Sequence, residues 1–239
     1  MTESIQLCTQ MILPKNLVDS AYFDFGVGGL STAGKKIFWK PGQVITLGFI
    51  GGSTKARNAV RTYGGEWLKY ANIEFLWLED GYDTMIRIAF DPGGSWSYVG
   101  IDSLLIPSDK PTMSFGWLED ALSRDDQAES RRVIMHEFGH MLGMQHEQNH
   151  PETKIPWDKE AMYQHHTEVN GWSKDQVDQT YFTTLPPHPP QSEYDKDSIM
   201  HYPVENRFTI GDFEVGYNYG PSEGDKEFMR LAYPPFPPH

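Results

Sequence analysis

Residues 136–147 read HEFGHMLGMQHE, and this stretch decides the fold and the chemistry that we expect. Residues four apart on an α-helix lie on one face, so His136 and His140 would present two imidazoles to one point. Glu137 is rotated by about 100° from His136, which places its carboxylate beside that point. Gly143 permits a positive φ that ends the helix and reverses the chain, and the reversal would return His146 to the same point.

Three imidazoles with one open position are the ligand pattern of a catalytic zinc site, whereas structural zinc sites are usually closed by four protein ligands. We therefore predict one Zn2+ per chain, bound by His136, His140 and His146. Glu137 is predicted to be the general base that takes a proton from a water on the open side of the metal. HExxH alone also fits an ordinary amphipathic helix with exposed His and Glu, but that alternative does not account for the HxxGxxH extension.

Local signals predict a mixed sheet with a helix behind it, followed by the helix of the histidines. Asp126 with Glu129 three residues later is typical of a helix N-terminus, and this helix would continue to Gly143. Runs of β-branched and aromatic residues predict strands at 44–50, 73–78, 84–90, 96–101 and 112–117, and a helix at 54–72 that two glycines weaken. Beyond residue 143 the chain is polar and rich in proline, so it is predicted to be irregular apart from a helix near 225–231.

Composition excludes some classes of protein. The 239 residues carry 33 acidic and 20 basic side chains, a formal net charge of -13, which argues against nucleic acid or an anionic membrane surface as a partner. No stretch approaches about 20 consecutive apolar residues, so we expect no membrane span. Cys8 is the only cysteine, so no intramolecular disulfide is expected.

Two further motifs add a resemblance to a known family. Glu147 directly follows the third histidine, and residues 198–202 read SIMHY. Together with the histidine motif and WSYVG at 96–100, they resemble the metzincin metalloproteases and, within them, the astacin family of peptidases. The similarity covers about residues 38–233.

The resemblance implies an α+β fold of two lobes with an active-site cleft between them. The upper lobe would hold a twisted mixed sheet and two long helices and would end near residue 143, and the lower lobe would be mostly irregular. We accordingly divide the chain into an N-terminal arm or pro-segment remnant (1–40), a catalytic domain (41–233) and a proline-rich tail (234–239).

The resemblance also implies roles for individual residues. Met200 would lie beneath the zinc ligands, Tyr202 would be a fifth, movable zinc ligand that hydrogen-bonds the transition state, and Glu147 would tie the lobes together. Their alternatives are ordinary core positions for Met200 and Tyr202 and a solvated loop carboxylate for Glu147. Gly143 would support the site by turning the chain.

Protein or peptide substrates are expected to bind extended along a sheet edge. The resemblance assigns that edge to the strand formed by Thr112, Met113, Ser114, Phe115, Gly116 and Trp117. Arg207 would line a pocket for an acidic substrate residue, or would be a surface arginine. The remaining histidines are predicted to lie at the surface (His150, His165 and His166) or to be structural (His201).

The chain departs from the astacin pattern in two respects. Astacins commonly carry disulfides, and this chain can form none. Latent astacins often block zinc with an aspartate in an FxGD motif, which residues 23–26 (FDFG) do not match. Some relatives use a cysteine for this purpose, so Cys8 is either a latency ligand or an inert buried thiol.

These observations favour a zinc-dependent endopeptidase. The alternatives are a zinc-binding pseudo-enzyme, which would have no use for Glu137, and a zinc hydrolase of another class, such as a matrixin-type peptidase or an amidase. We expect a monomer that is secreted, with a cytoplasmic location as the alternative. Residues 1–16 lack the basic and apolar regions of a signal peptide, so a secreted protein would be represented here by a trimmed form.

Overall fold

The computed structural model describes residues 8–11, 37–79, 81–185 and 193–236, and within these a six-stranded sheet forms the framework. The strands are β1 (Cys8–Met11), β2 (Val44–Phe49), β3 (Glu74–Trp77), β4 (Ile86–Ala89), β5 (Ser95–Tyr98) and β6 (Met113–Ser114). Their order across the sheet is β1-β5-β6-β4-β2-β3. Neighbouring strands are parallel except for β5 and β6, which are antiparallel.

Six α-helices accompany this sheet in the described part of the chain. They are α1 (Thr54–Gly64), α2 (Leu118–Ser123), α3 (Gln127–Met141), α4 (Lys159–Asn170), α5 (Lys174–Val177) and α6 (Glu223–Ala232). α1 continues into a 3-10 turn (Gly65–Lys69), and α5 continues into a π-turn (Asp178–Phe182). None of the described helices is long and apolar enough to cross a membrane.

The cap at the start of α3 is the one that the sequence predicts. The Asp126 carboxylate accepts a hydrogen bond from the Glu129 backbone N–H at 3.0 Å, which satisfies one of the free donors of the first turn. Glu129 does not complete the capping box, because its carboxylate is paired with Arg132. The predicted start of the helix is thus confirmed. The difference is that the Glu129 side chain binds Arg132 and does not cap the helix.

α3 is the buried centre of the molecule, covered by the sheet on one side and by α1 on another. Two side chains from distant parts of the sequence donate hydrogen bonds to carbonyl oxygens at its C-terminus. Trp39 Nε1 donates to Met141 O at 2.8 Å, and Tyr233 Oη donates to Leu142 O at 2.7 Å. Both carbonyls belong to the last turn of the helix, where no backbone partner is available. The ends of the domain are therefore bonded directly to the helix that carries the histidines.

The core begins before the predicted start of the catalytic domain at residue 41. Ile37, Phe38 and Trp39 are all buried, and β1 belongs to the same sheet as the later strands. The division at residue 40 therefore cuts through packed structure. The cause is that a core position depends on distant partners, which the local polarity of the first 40 residues does not reveal.

The chain after residue 143 contains more helix than the sequence predicts. The expected helix near 225–231 is present as α6, but α4 and the segment of α5 and the π-turn were not predicted. α4 buries only Met162 and His166, so it lacks the apolar periodicity that marks a helix. Its capping residues are the sequence signal that could have predicted it. Asp158 accepts from Ala161 N at the start, and Gly171 follows the end with a left-handed backbone conformation.

The assignment of 112–117 to the sheet edge is wrong. Only Met113–Ser114 forms a strand, and it lies inside the sheet between β4 and β5. Its backbone groups are used by both neighbours, so no substrate strand can pair there. On this side of the sheet the next strand is β5, and β1 pairs with its outer side.

Gly143→Ala is expected to lower the free energy of unfolding by more than Gly211→Ala. Both glycines have positive φ, 97° and 87°, so each alanine would carry about 1–2 kcal/mol of backbone strain. Only at Gly143 would the new Cβ meet another group, the Phe38 ring at 2.6 Å, which adds about 1–3 kcal/mol of overpacking. Urea unfolding in excess chelator, which removes any contribution from metal binding, measures both. Equal losses would contradict this account of Gly143.

Candidate metal centre and active site

The three predicted histidines converge at the end of α3. His146 Nε2 lies 3.3 Å from His136 Nε2 and 3.1 Å from His140 Nε2. All three side chains are buried, with 5% or less of their surface exposed. The helix supplies the first two residues at the predicted spacing of four, and the turn after Gly143 supplies the third.

The glycine turn has the predicted conformation. Gly143 adopts a φ of 97°, its N–H donates to His140 O at 2.8 Å, and the Met144 N–H donates to Gly139 O at 2.9 Å. These bonds close the C-terminus of the helix and send the chain back toward His146. The local reversal thus explains how a residue six positions after His140 reaches the same point.

Backbone carbonyls set the tautomers of two of the imidazoles. His136 Nδ1 lies 2.8 Å from Ile199 O, and His140 Nδ1 lies 2.9 Å from Met144 O. A carbonyl only accepts, so each Nδ1 carries the proton and each Nε2 carries a lone pair. Both lone pairs therefore point at the place where His146 also ends.

This donor set fits a zinc ion. Burial lowers the pKa of His140 to about 4 and lowers the pKa of His136 and His146 well below its usual value, so the rings are neutral, as metal ligands must be. Two Nε2 lone pairs that face His146 Nε2 cannot both be satisfied by the single proton that ring can offer. A cation satisfies all three nitrogens at once, and three neutral imidazoles are a ligand set for catalytic zinc.

Glu137 also lies at this cluster, with a ring nitrogen of His136 and the Cys8 Sγ within 4.8 Å of a carboxylate oxygen. Its side chain is fully buried, and neither carboxylate oxygen accepts a hydrogen bond from the described residues. Burial raises the pKa of Glu137 to about 8. A buried carboxyl without partners is costly, so its retention next to the histidines points to a role that needs free oxygen atoms.

The turn that contains Met200 packs against the zinc helix. A Cβ on Gly139 would lie 2.5 Å from Met200 Sδ, so the thioether occupies the space that glycine leaves between His136 and His140. Asp225 at the start of α6 secures this turn, because it accepts from Ser198 Oγ at 2.6 Å and from Ile199 N at 2.8 Å. Asp225 was not among the predicted site residues, and its distance in sequence leaves no local signal for this role.

Tyr202 also lies against the histidine cluster. Its ring centroid is 4.4 Å from that of His146 and 6.2 Å from that of His136, and the side chain is buried. Tyr181 from the π-turn packs against it in an edge contact at 5.9 Å. Tyr181 was not predicted, although single π-turns often occur near functional sites.

Glu147 makes its hydrogen bonds within the C-terminal half of the chain. Its Oε1 accepts from Asp195 N at 2.8 Å, and its own N–H donates to Met200 O at 3.1 Å. Burial raises the pKa of Glu147 to about 8, opposed by the bond from Asp195. The carboxyl is therefore not a solvated loop group, and it joins the third histidine to the turn that carries Met200.

Cys8 reaches the same site from the N-terminal segment. Its Sγ and one ligand atom each of His136 and Glu137 all lie within 4.8 Å of one another. The thiol is buried, and burial together with the charge of Glu137 raises its pKa well above its ordinary value. The strand that carries it, β1, pairs with β5.

A buried cation that the sequence analysis missed also lies near the site. Arg132 precedes His136 by one helical turn, and its guanidinium binds both oxygens of Glu129 at 2.6 and 2.7 Å. Trp117 Nε1 donates to the same carboxylate at 2.9 Å. The i,i+3 spacing of Glu129 and Arg132 on a predicted helix was the signal that could have identified this pair.

The structure does not bring Arg207 to the histidine cluster. It pairs with Glu205 at 2.9 Å and lies over the Phe208 ring, with 46% of its side chain exposed. The predicted surface position of His166 is wrong: its ring is 2% exposed and stacks on Trp172, since α4 turns it inward. His201 has the expected structural contacts, with Nδ1 at 2.6 Å from Tyr202 O and Nε2 at 2.8 Å from Tyr194 Oη.

Comparison with known proteins agrees with this geometry. The family model for the astacin peptidases matches residues 32–213. A structure of myroilysin is 42% identical with a TM-score of 0.78, and the match covers 87% of this chain and 99% of that one. A second myroilysin structure is 40% identical with a TM-score of 0.64, covering 95% of this chain and 98% of that one.

Two more distant relatives extend the comparison. High choriolytic enzyme 1, a hatching enzyme zinc-protease from Oryzias latipes, shares the fold at 18% identity and a TM-score of 0.55, over 82% of this chain and 94% of that one. Bone morphogenetic protein 1 from Xenopus laevis is 27% identical over 190 residues, which are 77% of this chain and 23% of that protein. This chain therefore corresponds to less than a quarter of that relative's length. From the family match over most of its length and the zinc-binding histidines that the fold brings together, we conclude that the chain belongs to the astacin family and is a zinc metalloendopeptidase.

Proposed function

We propose that Glu137 is the general base of this peptidase. The proposal is supported by its position next to His136, its full burial and the two carboxylate oxygens that accept no hydrogen bond from the described residues. When bound by the three histidines, zinc supplies a Lewis acid that lowers the pKa of water to about 7. The positive charge of a bound cation would lower the pKa of Glu137, which burial alone raises to about 8. The resulting carboxylate would accept the proton of the attacking water and pass it to the leaving amine.

Tyr202 is proposed to act beside Glu137 as a hydrogen-bond donor to the oxyanion of the transition state and as a movable fifth ligand. The proposal is supported by its ring contact with His146 at 4.4 Å. Met200, Glu147 and Gly143 would hold the ligands in place without taking part in proton transfer. No cysteine or serine nucleophile is required, because water attacks the peptide bond directly.

The compartment and the way substrates bind are also proposals. Members of the astacin family act mostly outside the cell, which favours secretion for this chain, and fractionation of producing cells would test it. Substrates are proposed to be extended peptides that pair with β5, since β1 already pairs there. The protein is proposed to be a monomer.

Glu137→Gln is expected to retain about one zinc per chain and to lower kcat for casein hydrolysis about 10²–10⁴-fold, because the amide cannot accept the proton. Zinc content is measured by mass spectrometry and activity by release of peptides. Glu74→Gln, which alters an exposed carboxylate on β3, serves as the matched control. o-Phenanthroline should abolish the activity of the unaltered protein. Full turnover by Glu137→Gln would refute its role as the base.

Tyr202→Phe is expected to lower kcat about 10²-fold with unchanged zinc content, since one donor to the oxyanion is lost while the ring packing remains. Tyr181→Phe removes a hydroxyl one ring farther from His136 and His146 and is expected to change kcat by less than about threefold. Turnover of Tyr202→Phe at the unaltered rate would contradict the proposed role.

We also propose that residues 8–11 hold the protein in a latent state. On metal binding Cys8 would lose its proton to solvent and supply a thiolate as a fourth ligand where a catalytic site needs an open position. β1 would occupy the side of β5 that a substrate needs. The proposal is supported by the clustering of Cys8 with His136 and Glu137 and by the pairing of β1 with β5. A lone buried cysteine without these two contacts would be inert.

Cys8→Ala is expected to raise the casein-hydrolysing activity of the full chain at least about tenfold, because alanine cannot act as a ligand. Activity is compared with that of the unaltered protein before and after removal of the N-terminal segment. Cys8→Ser, which keeps nearly the same size, should behave like Cys8→Ala. Unchanged activity and zinc content in Cys8→Ala would end the latency proposal.

A further inference from the structure

A small apolar cluster lies on β5 and the following 3-10 turn, apart from the main core. Tyr98 and Ile106 are buried, with 9% and 8% of their surface exposed, and Trp96 and Leu105 pack against them. We call these four residues the β5 cluster. The rings of Trp96 and Tyr98 meet edge to face at 5.9 Å, and Met11 of β1 packs against the cluster.

The register of β1 fixes the distance from the zinc site to the β5 cluster. Cys8 pairs with Ser95 at the zinc end, and Met11 pairs with Tyr98 at the other end. Three residues of extended chain span about 10 Å, so the cluster lies about 10 Å along the edge from the histidines. Cys8 and Met11 are an odd number of residues apart, and their side chains therefore lie on opposite faces of the strand.

A substrate strand that pairs with β5 beside the histidines would use the same side of β5 that β1 uses. β6 occupies the other side of β5, which leaves the β1 side as the place where an added strand can pair. An antiparallel strand is slightly more stable per residue than a parallel one. Since β5 runs from the zinc end at Ser95 toward Tyr98, an antiparallel peptide would place its amino-terminal part over the β5 cluster.

We propose that the β5 cluster is a substrate subsite that selects an apolar side chain about three positions to the amino-terminal side of the cleaved bond. Met11 occupies this subsite in the present structure with a side chain of the kind that the substrate would supply. The inference rests on the proposed function, because the subsite becomes available only when β1 leaves the edge. It assigns a sequence preference to the enzyme that the zinc site itself does not provide.

The energetic basis is the removal of apolar surface from water on both sides of the contact. The cluster offers two aromatic rings and two aliphatic side chains, and only the backbone of β5 is used for strand pairing. A leucine in the peptide would be covered as Met11 is, whereas a serine would leave the cluster in contact with water. A contact of this size corresponds to a difference of about tenfold in kcat/KM.

The test uses the full-length protein under the conditions in which it digests casein. Its substrates are a set of peptides that differ only in the position of one leucine. The leucine is moved through positions one to five on either side of the cleaved bond, and serine occupies that position in the matched peptide. We expect kcat/KM to be about tenfold higher with leucine than with serine near the third position on the amino-terminal side, and nearly equal elsewhere on that side.

Two neighbouring leucines provide matched variants. Leu105→Ala should reduce the leucine-to-serine ratio to about threefold or less, because it removes one wall of the cluster. Leu104→Ala should leave the ratio unchanged, since Leu104 is 38% exposed and lies outside the cluster. If Leu105→Ala fails to fold, Ile106→Val makes a smaller change in the same cluster and should lower the ratio in the same direction.

Three outcomes would overturn the proposal. Equal kcat/KM for leucine and serine at every amino-terminal position would show that the cluster selects nothing. A preference confined to the carboxyl-terminal side would contradict the direction of binding, and an unchanged ratio in both cluster variants would assign the preference to other residues. Failure to cleave any peptide or casein would be a different result, since it would refute the proposed function and remove the subsite with it.

Discussion

Two lone pairs on His136 Nε2 and His140 Nε2 face a third imidazole at 3.3 and 3.1 Å, and one proton on His146 Nε2 cannot satisfy both, whereas a cation can. Residues from other parts of the fold hold these imidazoles in position. The carbonyl of Ile199 fixes one tautomer from the Met200 turn, and the carbonyl of Met144 fixes another from the glycine turn. Asp225 holds the first of these turns from a separate helix. The histidine cluster and the core around it therefore join the zinc helix, the Met200 turn and α6.

Burial keeps the histidines neutral, as metal ligands must be, and it also raises the pKa of Glu137. The same dry surroundings that keep the histidines neutral raise the pKa of Glu137 and leave its carboxylate without partners among the described residues. In the unfolded chain none of these groups is held in place, so metal binding and folding stabilise each other. The energetic cost of a buried carboxyl without a hydrogen bond falls at the residue that we propose as the general base.

The outer side of β5 connects the proposed latent state with the proposed recognition of substrates. β1 covers this edge with Cys8 at the zinc end and Met11 over the apolar cluster. A single edge can hold only one added strand, so the segment that covers it and the substrate are alternatives. The contacts of β1 thereby outline what a peptide would meet in its place, first the metal and then an apolar surface about 10 Å away.

The sequence by itself determined the zinc ligands, the glycine turn and the start of the helix that carries them, because each depends on residues a few positions apart on one helix or turn. Tertiary structure alone decided the order of the strands, the burial of Arg132 near the histidine cluster and the inward position of His166. Strand order, pairing and burial depend on partners far away in the chain, and local periodicity carries no information about them. The sequence identified Cys8 as a candidate zinc ligand because it is the only cysteine. The pairing of β1 with β5, which depends on distant residues, is what brings its thiol to His136.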